Sequence, residues 1–325
     1  MDITLVYLVA FGLSLLLIGY FLPFLKNKTT ARIIVWSLGI ITVFFSAGIT
    51  AEESALYRMI AIVSLQLLSM KAVVIVETYS GKMGLTFIQW CAFSLGWFGM
   101  RPVLFEKLPS PPLPYISFVI TGISRMAIGI VLLYISVYIE RNFINLYYAS
   151  ALALLVGLSM ILHFGILNLS AASWRLSGVD VKELFRSPYK ASSLKEFWGK
   201  RWNIAFSEMT SLIIYRPLKN SIGPTPAMLA AFLLSGILHE IAISFPVNAG
   251  FGLPLLYFVI HGIVMYAEGE IPFVKKIIGH RILSHVWVML WLILPMPLLF
   301  HVQFIKYVLV PCRDAILSLL PSLGV

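Results

Sequence analysis

Pro226-Ala227-Met228-Leu229-Ala230-Ala231-Phe232-Leu233-Leu234-Ser235-Gly236-Ile237-Leu238-His239-Glu240-Ile241-Ala242-Ile243-Ser244-Phe245 is one apolar run with a histidine and a carboxylate in its interior. About twenty such residues suffice for a helix to cross a bilayer. An ionisable pair at that depth is costly, so it faces a protein interior or a water-filled cavity and marks a site. The run thus sets the fold class and points to where function lies. Outward from it the same character persists: 60% of the 325 residues are hydrophobic and 12% charged, with a mean hydropathy of +0.93. That exceeds what a water-soluble core needs. The expected fold is all-α, a polytopic integral membrane protein with about 8–10 transmembrane helices and additional interfacial helices.

Further runs that can span lie at 3–25, 31–49, 56–76, 83–99, 115–139, 147–167, 252–268 and 282–300, while 301–320 mixes Lys306, Arg313 and Asp314 with leucines and reads as interfacial or a final crossing. No polar block is large enough to fold alone. The expectation is a single membrane domain over 1–325, made of N-terminal spans (1–167), a cytosolic or interfacial motif region (168–220), C-terminal spans (226–300) and a last segment (301–325). The N-terminus carries Asp2 rather than a basic region, and its apolar run is too long for a signal segment, so it reads as a retained first span. The net charge of +10 sits in Lys and Arg between apolar runs, as in cytoplasmic loops, and implies no nucleic acid. Lys26, Lys28 and Arg32 place the first loop inside, and seven Lys and Arg residues between Arg175 and Arg201 place the 168–201 stretch on the same side. Five candidate spans between them cannot return the chain there. The weakest is 83–99, which is short and contains Gln89; a re-entrant segment would restore the parity, and Lys71 also weakens 56–76.

Helix punctuation is readable in the motif region. Ser193-Leu194-Lys195-Glu196 fits a capping box and predicts a helix from Leu194 to near Tyr215, before Pro217, with Asn203 inside it. Phe197, Trp198 and Trp202 give that helix an aromatic surface. Thr225-Pro226 predicts a second start, with Thr225 as cap, for a helix ending at Pro246 that places Ser235 and His239 on one face.

A neutral imidazole at membrane depth can take a proton from an alcohol, which suits general-base catalysis on a lipophilic hydroxyl. A carboxamide such as Asn203 can donate to a developing oxyanion or hold the acceptor hydroxyl. Lys200 and Arg201, with Arg216 and Lys219 downstream, can receive the phosphates of an acyl carrier such as coenzyme A, or serve as ordinary cytoplasmic-side charges.

Pro188, then Ser193-Leu194-Lys195-Glu196-Phe197-Trp198-Gly199-Lys200-Arg201-Trp202-Asn203, and later Ser235-Gly236-Ile237-Leu238-His239-Glu240, resemble the wax-synthase-like branch of the membrane-bound O-acyltransferase superfamily. Lys200 stands where that branch more usually has Arg, which keeps the charge. The resemblance runs from about 185 to 270, and the N-terminal spans agree with it only in being apolar. It implies an acyl-CoA:alcohol O-acyltransferase, wax-ester-synthase-like, with His239 as base and Asn203 as its companion. It also implies a tunnel that coenzyme A enters from the cytosol and the acceptor from the lipid. Acyl-CoA is then the co-substrate, with Trp198, Lys200, Arg201 and Arg216 as candidate contacts, and no permanent cofactor is expected. Within the same class stands transfer of a short acyl group to a terpenoid, polyketide or sterol hydroxyl. From another class comes a proton-coupled transporter with His239-Glu240 as relay, although no internal duplication is visible. A non-catalytic scaffold would leave the buried charge unexplained.

Other polar residues divide between site and packing. Candidate tunnel residues are Ser235, Glu240, His261 and Tyr257. Ser235 reads equally as a small packing residue, and Glu240 points about 100° away from His239 on a helix. His261 shares a stripe with Tyr257, Met265 and Glu268, a face that walls a cavity or is satisfied packing. HExxH would need a histidine at Ile243, Cys91 and Cys312 have no ligand spacing, and no metal is implied. A multi-pass location in a bacterial inner membrane or the endoplasmic reticulum is expected.

Overall fold

The computed structural model describes residues 3–319, and among these the secondary structure is helical, with no strand. Asp2 and the end of the last segment, 320–325, lie outside the described residues. Seven helices are long and apolar enough to cross a bilayer, so the protein is a multi-pass integral membrane protein. The chain divides into two compact units, one of residues up to Glu106 together with Leu184–His301, the other of Lys107–Glu183 together with the residues from Val302 on.

In the first unit, α1 (Ile3–Phe21) and α2 (Lys28–Ile49) pack on α3 (Ala55–Thr78). Asn27 caps α2 by accepting from the amides of Thr29 and Thr30, and Ser54 caps α3 through Tyr57. The buried part of α3 runs through every residue from Leu68 to Val76, Lys71 among them. Lys71 does not weaken this helix, because its ammonium donates to the carbonyls of Phe93 (3.1 Å), Trp97 (2.9 Å) and Gly99 and lies 3.7 Å from the centre of the Phe93 ring. Those carbonyls belong to and follow α4 (Phe87–Gly96), which has 10 residues. At 1.5 Å per residue α4 reaches about 15 Å, half of a hydrocarbon core. The expected span at 83–99 is therefore not realised. Four long helices remain between the first loop and the motif region, an even number, as the shared charge of those loops requires.

The rest of this unit is the motif region from Leu184 on, followed by α10 (Pro224–Val247), α11 (Leu253–Glu270), α12 (Pro272–Ile278) and α13 (Arg281–Leu299). The motif region contains α7 (Leu194–Glu196), α8 (Ile204–Thr210) and α9 (Arg216–Ile222). The expected cap at Thr225 is not used. α10 starts two residues earlier, after Gly223, with Pro224 and Pro226 both in the first turn, where a missing N–H leaves nothing unpaired. Pro246 likewise lies inside its last turn, and the helix stops at Asn248, in the left-handed conformation (φ 50°). α11, read from sequence as a span, is 18 residues long and is not among the seven; Glu268 and Glu270 stand at its end.

The second unit is built on α5 (Ile116–Asn142) and α6 (Tyr147–Leu176), with α14 (Val310–Ser318) beside them. α5 and α6 cross closely: a Cβ on Gly129 would stand 2.7 Å from the carbonyl of Gly157. Arg313, on α14, is buried and pairs with Glu140 of α5 and with Asp314.

Candidate active site

The first unit holds a half-open cavity of about 570 Å³ whose wall includes Asn203, His239, Ser235 and Trp198. Small-molecule sites run to roughly 300–1,000 Å³. Among the described residues, its wall does not include Lys200, Arg201, Arg216, Glu240, Tyr257 or His261.

His239 sits three residues after a close approach of α10 to α11. A Cβ on Gly236 would stand 2.6 Å from Leu255 Cδ1 and 3.1 Å from Leu255 Cα, so glycine is what admits α11 at this level. The crossing brings the ring of Phe258 to 4.2 Å from the His239 ring, centre to centre, with Phe206 at 5.6 Å. One turn back, the carbonyl of Ser235 lies 2.7 Å from His239 Nδ1. A carbonyl only accepts, so Nδ1 carries the proton and donates, which leaves the Nε2 lone pair of the neutral ring available. Ser235 itself turns its hydroxyl to the carbonyl of Ala231 at 2.8 Å.

Asn203 arrives differently. The predicted continuous helix from Leu194 to Tyr215 is broken. Ser193 does cap the start, accepting from the Glu196 amide at 3.0 Å, but the helix widens into a π turn over Phe197–Arg201 and then stops. Asn203 stands at the break in the left-handed conformation (φ 40°, ψ 62°) and is the N-cap of α8. Asparagine tolerates that conformation better than most residues. The break is held by distant backbone: the Arg186 amide donates to Arg201 O at 2.8 Å and the Ile204 amide to Leu184 O at 2.9 Å. Asn203 Oδ1 accepts from the Phe206 amide at 3.2 Å, which directs the two Nδ2 hydrogens to other acceptors.

The Glu196 side chain does not close the expected capping box on Ser193. Its Oε2 instead accepts from the amide (2.9 Å) and hydroxyl (2.8 Å) of Ser192, and its Oε1 pairs with Arg201 at 2.6 Å. Burial pushes this carboxyl up, but the Ser192 donors and the Arg201 guanidinium outweigh it and hold it below the ordinary value. Arg201 is thus engaged inside the motif. Lys200 and Arg216 are exposed. Glu240 accepts from the amides of Gly252 (2.8 Å) and Leu255 (3.2 Å), and so ties α10 to the start of α11. His261 is fully buried, with its Nδ1 donating to the carbonyl of Tyr257 at 2.8 Å.

Among the wall residues that carried no site assignment from sequence are Phe206 and Phe258, which flank the imidazole, and Glu268, which is buried. The aromatics gave no signal in an apolar chain. Glu268 was visible only as the end of the Tyr257–His261–Met265 stripe. Chemically, the cavity sets a basic imidazole nitrogen and an amide donor around one largely apolar space. That is the equipment for activating a lipophilic hydroxyl and stabilising an oxyanion.

This class of site agrees with what the chain resembles. Residues 181–260 match the Membrane bound O-acyl transferase family. The segment is 32% identical over 114 residues to the long-chain-alcohol O-fatty-acyltransferase of Simmondsia chinensis, covering 32% of each chain. It is 35% identical over 100 residues to the probable long-chain-alcohol O-fatty-acyltransferase 7 of Arabidopsis thaliana, covering 28% of this chain and 30% of that one. It is 36% identical over 84 residues to acyl-CoA--sterol O-acyltransferase 1 of Arabidopsis thaliana, covering 23% and 24%. The match thus spans about a third of these relatives or less, and within it the resemblance to the wax-synthase-like branch is borne out.

Proposed function

We propose that the protein transfers an acyl group from acyl-CoA to the hydroxyl of a lipophilic alcohol, a long-chain alcohol in the simplest case. The observation that carries this reading is the hydrogen-bond commitment of the two polar groups on one cavity: His239 Nδ1 to Ser235 O, and Asn203 Oδ1 to Phe206 N. Each commitment leaves free the atom the reaction needs. The alcohol gives its proton to His239 Nε2 as its oxygen attacks the thioester carbonyl carbon. The resulting oxyanion accepts from Asn203 Nδ2–H. The carbon–sulfur bond then breaks, and the thiolate takes the proton back from Nε2–H, so ester and free coenzyme A leave with no covalent acyl-enzyme. Aromatic walls from Trp198, Phe206, Phe232 and Phe258 keep water from competing with the alcohol.

The similarity to a relative named for a sterol favours one second reading, a sterol hydroxyl as acceptor. Both readings use the same two residues. Mass spectrometry of lipids from cells making the wild type or His239→Ala, supplied with long-chain alcohols and sterols, separates them: a new ester lost in the variant identifies acceptor and acyl chain together. No new ester with any acceptor, or the same ester from His239→Ala, overturns the proposal.

A further inference from the structure

Resting on the acyl-transfer reading, we propose that Glu268 is a positioning residue that fixes the 194–203 segment, and through it the Asn203 carboxamide, against the cavity. Glu268 is 5% exposed, and both its oxygens are committed. Oε1 accepts from the Leu194 amide at 2.8 Å and from Trp287 Nε1 at 3.1 Å, and Oε2 accepts from the Lys195 amide at 3.2 Å. The first amides of a helix have no acceptor within it, and a carboxylate there is also favoured by the helix dipole. Here the carboxylate comes from α11, more than seventy residues away along the chain. One side chain therefore joins the start of the motif helix to α11 and, through Trp287, to α13.

The joint is rigid on both sides. Leu194 and Phe197 pack with Val264 of α11 and Val288 and Leu292 of α13. Beyond them, the Trp202 amide donates to Phe197 O at 2.8 Å, and the Ser207 hydroxyl to Trp198 O at 2.5 Å, which carries the fixed start through the π turn to the break at Asn203. A buried carboxylate is an expensive choice where an apolar residue would pack, and its loss leaves two amides and an indole N–H without their acceptor. With its oxygens filled by three donors it is not placed to shuttle a proton. Its action on the reaction runs through the position of the oxyanion donor.

The test uses the full chain in membranes, with the acyl-CoA and alcohol that the lipid comparison identifies. Glu268→Gln keeps one oxygen but sets an amide NH2 against an N–H, and is expected to lower kcat about tenfold, with both KM values changed by less than about twofold. In an Asn203→Ala background the same change is expected to cost less than about twofold, because the group it positions is already gone. Turnover of Glu268→Gln within about twofold of wild type, or its full effect repeated in the Asn203→Ala background, overturns the inference. If Glu268→Gln does not accumulate, Trp287→Phe removes one of the three donors, and the same comparison with Asn203→Ala decides. A wild-type protein that forms no ester defeats the acyl-transfer reading itself, and the positioning role with it.

Discussion

The helix that brings His239 to the cavity and the segment that brings Asn203 there are built by opposite means. α10 is a regular helix of 24 residues whose backbone hydrogen bonds are local, and its histidine is oriented by a carbonyl of the same helix four residues back. The 184–203 segment is not one regular helix, and its bonds run between parts of it that are far apart along the chain and to α11. Its short helix, π turn and left-handed asparagine are held by Leu184, Arg186 and Ser192 across it and by Glu268 of α11, which Trp287 in turn supports. A group on α10 can thus be removed with little effect on its surroundings, whereas a group in the motif segment is coupled to the segment's shape. The His239 imidazole is thus placed by secondary structure and the Asn203 carboxamide by tertiary structure, whatever part each takes in the proposed reaction.

The largest expected effect lies on the regular side. His239→Ala should lower ester formation by about 10³-fold, in the range a lost general base produces, while the protein accumulates in membranes and unfolds as the wild type does. Folded protein with undiminished turnover would remove the imidazole from the chemistry. On the irregular side the informative change is Asn203→Asp. Aspartate still caps α8 through Phe206 and still tolerates the left-handed backbone, but it has no N–H to give. Turnover is expected to fall about 10²-fold with stability nearly unchanged. If Asn203→Asp turns over normally and Asn203→Ala does not, the carboxamide serves only as a cap.

The same contrast explains what could be read from the sequence. Spans and the His239 run are set by length and apolarity over consecutive residues, so seven of the nine expected crossings match long helices. Where the reading departed, the deciding contact was distant. Between Leu194 and Tyr215 there is no proline, and Gly199 alone does not end a helix; the break at Asn203 follows from backbone bonds to Leu184 and Arg186. Lys71 looked like a flaw in a span because its acceptors, around Phe93 to Gly99, lie on another element. Glu240 was readable as a polar group beside the histidine, but its partners at Gly252 and Leu255 depend on how α10 meets α11.

Gly236→Ala tests a point where α10 depends on its neighbour α11. The added methyl meets Leu255 at 2.6 Å (Cδ1) and 3.1 Å (Cα), and the second of these is backbone, so α11 must shift and carry Phe258 with it off the imidazole. A loss of about 1–3 kcal/mol is expected, read as a lower unfolding temperature in detergent. Trimming Leu255 to Ala in the same chain should restore part of it. No change in unfolding temperature would mean that the helices slide apart freely and that the crossing does not fix His239.

The smallest effect is expected from Glu196→Gln, and it probes how far side chains hold the irregular segment. The carboxylate gathers two donors from Ser192 and a guanidinium from Arg201, all within the motif, and the pair is only about a quarter exposed on either side. Its charge should be worth about 1 kcal/mol. Because the carboxyl is held below its ordinary value in the folded protein, that contribution is present above the unfolded pKa, about 4.3, and is lost as pH falls through the lower folded value. Wild type and Glu196→Gln should therefore differ in unfolding temperature at pH 7 and converge as the pH falls below the ordinary carboxylate range. A difference that persists undiminished in acid would assign the stabilisation to the shape of the side chain, which glutamine also changes, and not to its charge.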